Sequence, residues 1–249
     1  MIRPSLLALT LMLAPVSSGL AIERSELPAG AAELAGQPDP VQQQVDNIIR
    51  ISGLAGLSEQ ARDIAQQVLN EQSAPLGKQY DVVDRLTARW APPALQDQLS
   101  GVLLQLNDGQ RSELENTLAS RQLQAVREKE LQAIAEQGSA GYRDYISRLR
   151  ANPPAGPRLT LIQQLDQAMQ FSAIMTVTRS QVYPQLQAVL PDWQPAQNWQ
   201  TQLQQDVTEF LLYVHRSTPN DELQRIIRLY RQPVVQQWLS GVRQQLSAG

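Results

Sequence analysis

Apolar residues recur at steps of three and four along most of the chain, and this spacing restricts the fold more than any other feature. Val45, Ile48 and Ile49 show it early, and Ile64 and Val68 continue it. Such spacing places apolar side chains on one face of an α-helix. Strand signals are scarce, because β-branched residues rarely alternate with polar ones and Phe occurs only 2 times. The sequence therefore predicts an all-α protein, a multi-helix bundle.

Proline and glycine residues divide this pattern into helices. Asp39 and Pro40 are typical of an N-cap and a first helical residue, and Ser58 is predicted to cap the second helix. Thr218-Pro219 predicts another helix start, with the threonine hydroxyl as the cap and the proline at the first helical position. The sequence thus predicts helices with recognisable starts.

Two long helices are predicted in the middle of the chain. The first runs through Leu114 and Ile134, and the second runs through Leu161 and Val177. We expect the second to be bent or broken at Tyr183-Pro184, because proline lacks a backbone donor and clashes with the preceding turn.

The N-terminus has the order of segments found in secretory signal peptides. Arg3 precedes an apolar run that is too short to span a bilayer, and small residues follow it up to Ala21. We therefore expect residues 1–21 to be a signal peptide cleaved after Ala21, and residues 22–39, rich in proline and glycine, to be a flexible tether. Without cysteine no lipid anchor of the bacterial lipoprotein type can be attached, so the predicted location is the periplasm.

The mature chain divides at the proline-rich segment 153–157 into two predicted halves, 40–152 and 157–246. The halves share an order of features: Trp90-Ala91-Pro92 matches Trp193-Gln194-Pro195, and later leucine, glutamate and arginine pairs follow at similar offsets. This order suggests a duplicated helical unit, although two copies and common residue types also allow a chance match.

Three stretches near the C-terminus carry a resemblance to a known family: Phe210-Leu211-Leu212, the stretch from Ser217 to Leu223, and the stretch from Leu229 to Val235. With these stretches the segment resembles a family of exported bacterial helical proteins known only as domain of unknown function 2059. Gln232 and Val235 stand where that family has a small residue and often a glycine. The resemblance implies an exported helical protein of a Gram-negative periplasm and supplies no catalytic residues.

Composition argues against several classes of function. The chain has no cysteine and only 1 histidine, so thiolate catalysis, iron–sulfur clusters and multi-histidine metal sites have no ligands. The net charge is −3, and it becomes −4 when Arg3 leaves with the signal peptide, which gives no basic footprint for nucleic acid. No mature segment is apolar enough to cross a membrane. We predict no catalytic residue, no metal and no cofactor.

His215 is the one side chain that normally titrates near neutrality, and Ser217 lies two positions away. We expect His215 and Arg216 to end a helix, where positive charge meets exposed carbonyl groups. Acidic pairs are interpreted as surface charge. Glu128 and Glu130 are two apart, and residues two apart on a helix point in different directions, whereas Asp81 and Asp84 lie beside Arg85 in a pattern typical of a solvated face. Helix-end and surface roles are therefore favoured over chemistry.

Three tryptophans, Trp90, Trp193 and Trp199, cluster at the two proline-bounded corners. Packing between helices is their favoured role, and they are also the candidate ligand-binding residues. The favoured hypothesis is a non-enzymatic periplasmic protein that binds a protein or envelope partner through an exposed apolar groove. The alternatives are a carrier of a small apolar ligand in a cavity between the halves, and a hydrolase that uses His215 or a carboxylate. An open apolar patch would support the first, and an enclosed cavity the second.

Overall fold

The structure is a computed structural model that describes residues 39–248. In that part of the chain it contains twelve α-helices, one short 3-10 helix and no strand, so the predicted all-α fold is confirmed. The predicted signal peptide and all of the predicted tether except Asp39 lie outside the described residues. The helices are α1 (Pro40–Ser52), α2 (Leu57–Glu71), α3 (Leu76–Trp90), α4 (Pro92–Leu103), α5 (Asp108–Leu118), α6 (Arg121–Glu136), α7 (Ala140–Ala151), α8 (Gly156–Met169), α9 (Phe171–Val189), α10 (Trp199–Val214), α11 (Asn220–Tyr230) and α12 (Pro233–Ser247), with the 3-10 turn at Leu54–Gly56.

Helix α1 begins and ends as its residues require. The Asp39 carboxylate accepts a hydrogen bond from the Val41 backbone N–H at 3.0 Å, and Pro40 is the first helical residue, as predicted. Gly53 ends the helix in the left-handed conformation, with φ of 77°. Glycine adopts this conformation without a steric cost, so the chain can turn sharply into the 3-10 segment.

The prediction of one long helix through Leu114 and Ile134 is wrong. Helix α5 ends at Leu118, and α6 begins at Arg121 after an extended Ser120. The Gln124 side-chain amide donates to the Leu118 carbonyl oxygen at 2.7 Å and satisfies one of the last carbonyl groups of α5. Apolar spacing continues across the junction, so periodicity alone does not reveal the break.

The second long helix breaks at a different residue from the one predicted. Gln170 separates α8 from α9 with a φ of 51°, whereas Pro184 lies inside a continuous α9. The Gln170 side chain donates to Ser240 of α12 at 3.0 Å, and this contact, made far along the chain, helps to hold the break in place. Val182 and Leu186 are fully buried on either side of Pro184, so packing keeps the helix intact there.

Two predicted caps are also wrong. Helix α2 begins at Leu57, and the Ser58 hydroxyl donates instead to the Trp90 carbonyl oxygen at 2.5 Å. Helix α11 begins at Asn220, so Pro219 precedes it, and no side chain caps its start. Thr218 is buried, and its hydroxyl contacts Lys129 and His215 instead.

The two predicted halves pack directly on each other. Helix α9 lies against α2 and α3, α12 lies against α4 and α5, and α6 lies against α10. The buried residues form one core that includes both halves. The two-half division and the duplication stay predictions.

Candidate functional site

A cavity of about 90 Å³ lies inside the bundle, and both predicted halves contribute to its wall. One water molecule needs roughly 10–15 Å³ of such space, so the cavity has room for several waters or for a small organic group. Most of its wall is apolar. Side chains from five helices illustrate this: Leu57, Leu123, Phe171, Met175, Phe210 and Trp238.

Three helix junctions border the cavity. They are the turn between α1 and α2, the break between α5 and α6, and the break between α8 and α9. Leu118 and Leu123 flank the second junction, and Met169 and Phe171 flank the third. Because a helix stops at each junction, no continuous helical face covers this part of the core, and a space remains.

A charged pair from α6 lies in the cavity wall. Arg127 Nη1 lies 3.3 Å from Glu130 Oε2, and the two side chains are only 14% and 12% exposed. Burial raises the pKa of Glu130, and the charge of Arg127 opposes this shift. The Glu130 Oε1 atom is buried and has no hydrogen-bond partner. The pair therefore balances its charge but leaves one carboxylate oxygen unsatisfied.

Two aromatic side chains complete the polar part of the wall. Trp238 is 1% exposed, and its indole N–H is buried without a hydrogen-bond partner. Burial, followed by the negative charge of Glu130, raises the pKa of Tyr230, so its hydroxyl stays protonated. The cavity thus combines an apolar wall with an unsatisfied acceptor and an unsatisfied donor.

Arg127 separates the cavity from an outer recess. Arg127 and Gly53 belong to the walls of both spaces, and Asp46, Arg50 and Gln96 line only the recess. A Cβ atom on Gly53 would collide with the Arg127 guanidinium, so glycine is what allows the side chain to lie across this turn.

The structure brings two of the three predicted tryptophans together. Trp193 and Trp199 both pack edge-on against Tyr183, with ring centroids 5.3 and 5.2 Å from it. Trp90 is buried and lines a separate groove between α2 and α3. None of the three lines the cavity around Glu130. Their assignment as ligand-binding residues stays a prediction.

His215 directly follows α10, at the helix end where it was predicted, but it is fully buried. Its Nδ1 lies 3.3 Å from the Thr218 hydroxyl, which also accepts a hydrogen bond from Lys129 Nζ at 2.9 Å. Burial lowers the pKa of His215 to about 3, with a further contribution from the charges of Lys129 and Arg158.

Of the two residues expected to bring positive charge to this helix end, Arg216 does so, whereas the buried imidazole of His215 is neutral at neutral pH. Arg158 Nη2 donates to the His215 carbonyl oxygen at 2.5 Å, and Arg216 Nη1 donates to the Tyr213 carbonyl oxygen at 2.9 Å. These arginines provide the positive charge at the end of α10. An imidazole with such a low pKa is a poor general base at neutral pH.

The surface interpretation holds for Asp81 and Asp84, which are exposed, and fails for Glu130. A signal for Glu130 was present in the sequence. It follows Leu123 by seven positions and Val126 by four, which places it on the buried face of α6.

In residues 39–248 no group of three or more His, Asp or Glu side chains is placed to hold a metal ion.

Comparisons of this chain with protein-family models, with curated proteins and with solved structures find no match. Among the helices of residues 39–248, none combines the length and apolar character needed to pass through a membrane.

Proposed function

We propose that this protein binds a small, largely apolar molecule in the cavity between its helical halves. The observation that carries the proposal is a largely apolar space whose wall holds the Arg127–Glu130 pair and leaves Glu130 Oε1 and the Trp238 indole N–H unsatisfied. Ligand sites commonly have this character, with an apolar lining and a few convergent polar groups that orient the ligand.

The energetics support a ligand over a simple packing defect. A cavity reduces stability because its lining atoms lose van der Waals contacts. A buried polar atom without a partner costs about 1–3 kcal/mol more. A ligand that fills the space and pairs with both unsatisfied atoms would remove both costs, and this gain would favour binding.

The proposal is tested by calorimetric titration of the full chain with small apolar molecules such as n-pentane and toluene. We expect saturable binding and a rise in the melting temperature, because a ligand that binds only the folded state stabilises it. Ile174→Phe should abolish binding by filling the cavity, whereas Leu104→Phe, at an exposed residue outside it, should leave binding unchanged. Equal binding by the parent protein and the Ile174→Phe variant would place the ligand elsewhere.

A second candidate function is the docking of a protein or envelope partner on α3. Leu76, Tyr80 and Val83 are 67%, 68% and 46% exposed, and their spacing places them along one face of this helix. We define these three residues as the α3 stripe. Val83 also lines the groove that contains Trp90, so the stripe continues into an apolar recess. Exposed apolar patches of this kind mark interaction surfaces.

The docking candidate is tested by crosslinking in the periplasmic fraction of cells that express the chain. We expect the triple variant Leu76→Ser, Tyr80→Ser and Val83→Ser to lose a crosslinked partner that the parent protein retains. Leu104→Ser is the matched control, because Leu104 is 53% exposed but lies outside the stripe. Loss of the same partner in the control would show that the stripe is not the docking surface.

Both candidates assume export, which we propose from the signal-peptide pattern of residues 1–21 and from the resemblance of the C-terminal segment to the exported family. N-terminal sequencing of the protein recovered from a periplasmic extract tests this proposal. We expect the recovered protein to begin at Ile22. Recovery of the uncleaved chain from the cytoplasm alone would contradict export.

A further inference from the structure

The cavity offers more information about its ligand than size and apolar character. Its unsatisfied polar atoms are of opposite kinds, because Glu130 Oε1 accepts hydrogen bonds when the carboxylate is ionised and the Trp238 indole N–H only donates. Both atoms belong to residues in the wall of the same space. A complementary ligand therefore supplies both a donor and an acceptor, and a hydroxyl group combines the two.

Charge restricts that group further. Arg127 already neutralises Glu130 at 3.3 Å, so the pair carries no net charge. A carboxylate or an ammonium ligand would bring a net charge into an apolar space, and burying an uncompensated charge is costly. A neutral polar group avoids this cost.

We propose that the ligand of this cavity is an apolar molecule that carries a single hydroxyl group, which donates to Glu130 and accepts from the Trp238 indole N–H. This inference rests on the proposed binding function and specifies its ligand class.

The experiment compares four ligands of equal chain length by calorimetric titration of the full chain at pH 7.5: 1-pentanol, n-pentane, pentanoate and pentylammonium. We expect 1-pentanol to bind about tenfold more tightly than n-pentane, as one or two hydrogen bonds to buried unsatisfied groups would produce. The two charged ligands should bind more weakly than 1-pentanol.

Two tryptophan variants assign the hydrogen bond. Trp238→Phe removes the donor and keeps an aromatic ring, so it should lower the affinity for 1-pentanol about tenfold and leave that for n-pentane unchanged. Trp90→Phe is the matched control, because the Trp90 indole N–H is also buried and without a partner but lies outside the cavity. This control should bind 1-pentanol as the parent protein does.

A measurement on the parent protein keeps the test independent of variant folding. The chain has 4 tryptophans, so its nitrogen-15 NMR spectrum contains four indole N–H signals. The Trp238 signal should move more with 1-pentanol than with n-pentane, because only the alcohol accepts its hydrogen bond.

The outcomes separate the two proposals. Equal affinity for 1-pentanol and n-pentane, or tighter binding of pentanoate or pentylammonium, would overturn the hydroxyl assignment and leave the cavity as a binding site. Binding of none of the four ligands would overturn the proposed function as well.

Discussion

His215 gives the sharpest test of the structure, because it is the only histidine in the chain. We consider the substitution His215→Gln, which keeps a polar side chain but removes the titrating group. In the folded protein His215 is fully buried beside Thr218 and near Lys129 and Arg158, and burial lowers its pKa to about 3 from an ordinary value of 6.5. The unfolded chain has no such environment and retains the ordinary pKa.

The sign of the pH effect follows from proton linkage. Between about pH 3 and pH 6.5 the unfolded state binds more protons at His215 than the folded state does, so stability rises with pH. The full gap of about 3.5 pH units corresponds to about 5 kcal/mol, which is an upper limit. Most of the readily measured change lies between pH 7 and pH 5, where protonation of the unfolded imidazole removes about 2 kcal/mol.

The assay is urea denaturation of the parent protein and the His215→Gln variant between pH 4.5 and pH 7.5. We expect the free energy of unfolding of the parent protein to fall on acidification by about 2 kcal/mol more than that of the variant over pH 7 to 5. Other titrating groups contribute equally to both proteins and cancel in the comparison. Parallel curves for the two proteins would refute the buried, neutral imidazole.

An NMR titration of the parent protein supplies an independent measurement. Because the chain has 1 histidine, its imidazole carbon–proton signals need no assignment by mutation. They should show no titration between pH 5 and pH 8 in the folded state. A titration midpoint near 6.5 would contradict the placement of His215 even if the variant were stable.

Three further predictions concern the cavity wall. Gly53→Ala should lower the free energy of unfolding by about 1–2 kcal/mol in urea denaturation, because φ is 77° and the new Cβ would meet Arg127. The control Gly101→Ala, exposed in α4 with open space around it, should raise the free energy of unfolding by up to about 1 kcal/mol. Equal effects of the two substitutions would contradict the turn geometry. The Glu130→Gln variant should become more stable relative to the parent protein as the pH rises above 4.5. The pKa of Glu130 is raised in the folded state, so ionisation of this carboxyl lowers the free energy of unfolding of the parent protein only. A pH-independent difference between the two proteins in urea denaturation would argue against burial of Glu130. The double variant Arg127→Met and Glu130→Leu should be as stable as the parent protein or up to about 4 kcal/mol more stable to thermal denaturation, and a large loss would show that the pair serves stability.

The helical nature of the chain could be predicted because it depends on local spacing. The apolar residues of α1 and α2 that were placed on helical faces, such as Val45, Ile48 and Ile64, are buried in the structure. The cap of α1 was equally predictable, since Asp39 and the residues it caps are neighbours in sequence. Local signals therefore predicted local structure.

The break between α8 and α9 could not be predicted in the same way. It lies at Gln170, which is not a residue type that favours a positive φ. Its side chain reaches Gln236 and Ser240 of α12, which follow 66 and 70 positions later. Pro184, the expected breaker, stays inside α9. Tertiary contacts outweighed local preference at both positions.

The cavity was even less accessible to prediction, because it is formed where three helix junctions meet and none of them has a sequence signature of a binding site. Glu130 is the exception. Its register with Leu123 and Val126 places a carboxylate on an apolar face, and this conflict between residue type and position is a usable signal. The proline residues near Trp193 and Trp199 made these tryptophans candidates for ligand binding. In the structure they pack against Tyr183 and lie away from the cavity.

The Arg127–Glu130 pair is hard to explain as a stabilising feature, and this difficulty favours binding. Removing two charges from water is unfavourable, and only excellent pair geometry compensates for it. The Arg127–Glu130 pair makes a single contact of 3.3 Å and leaves one carboxylate oxygen without a partner, so its geometry does not compensate. Apolar side chains at both positions would fill space and remove an unsatisfied group. The pair beside the cavity therefore lowers the stability of the chain at that point. Such a loss of stability is common where a site must remain open and polar. Occupation of the cavity by a ligand that satisfies Glu130 would make the pair favourable in the bound state, and only there.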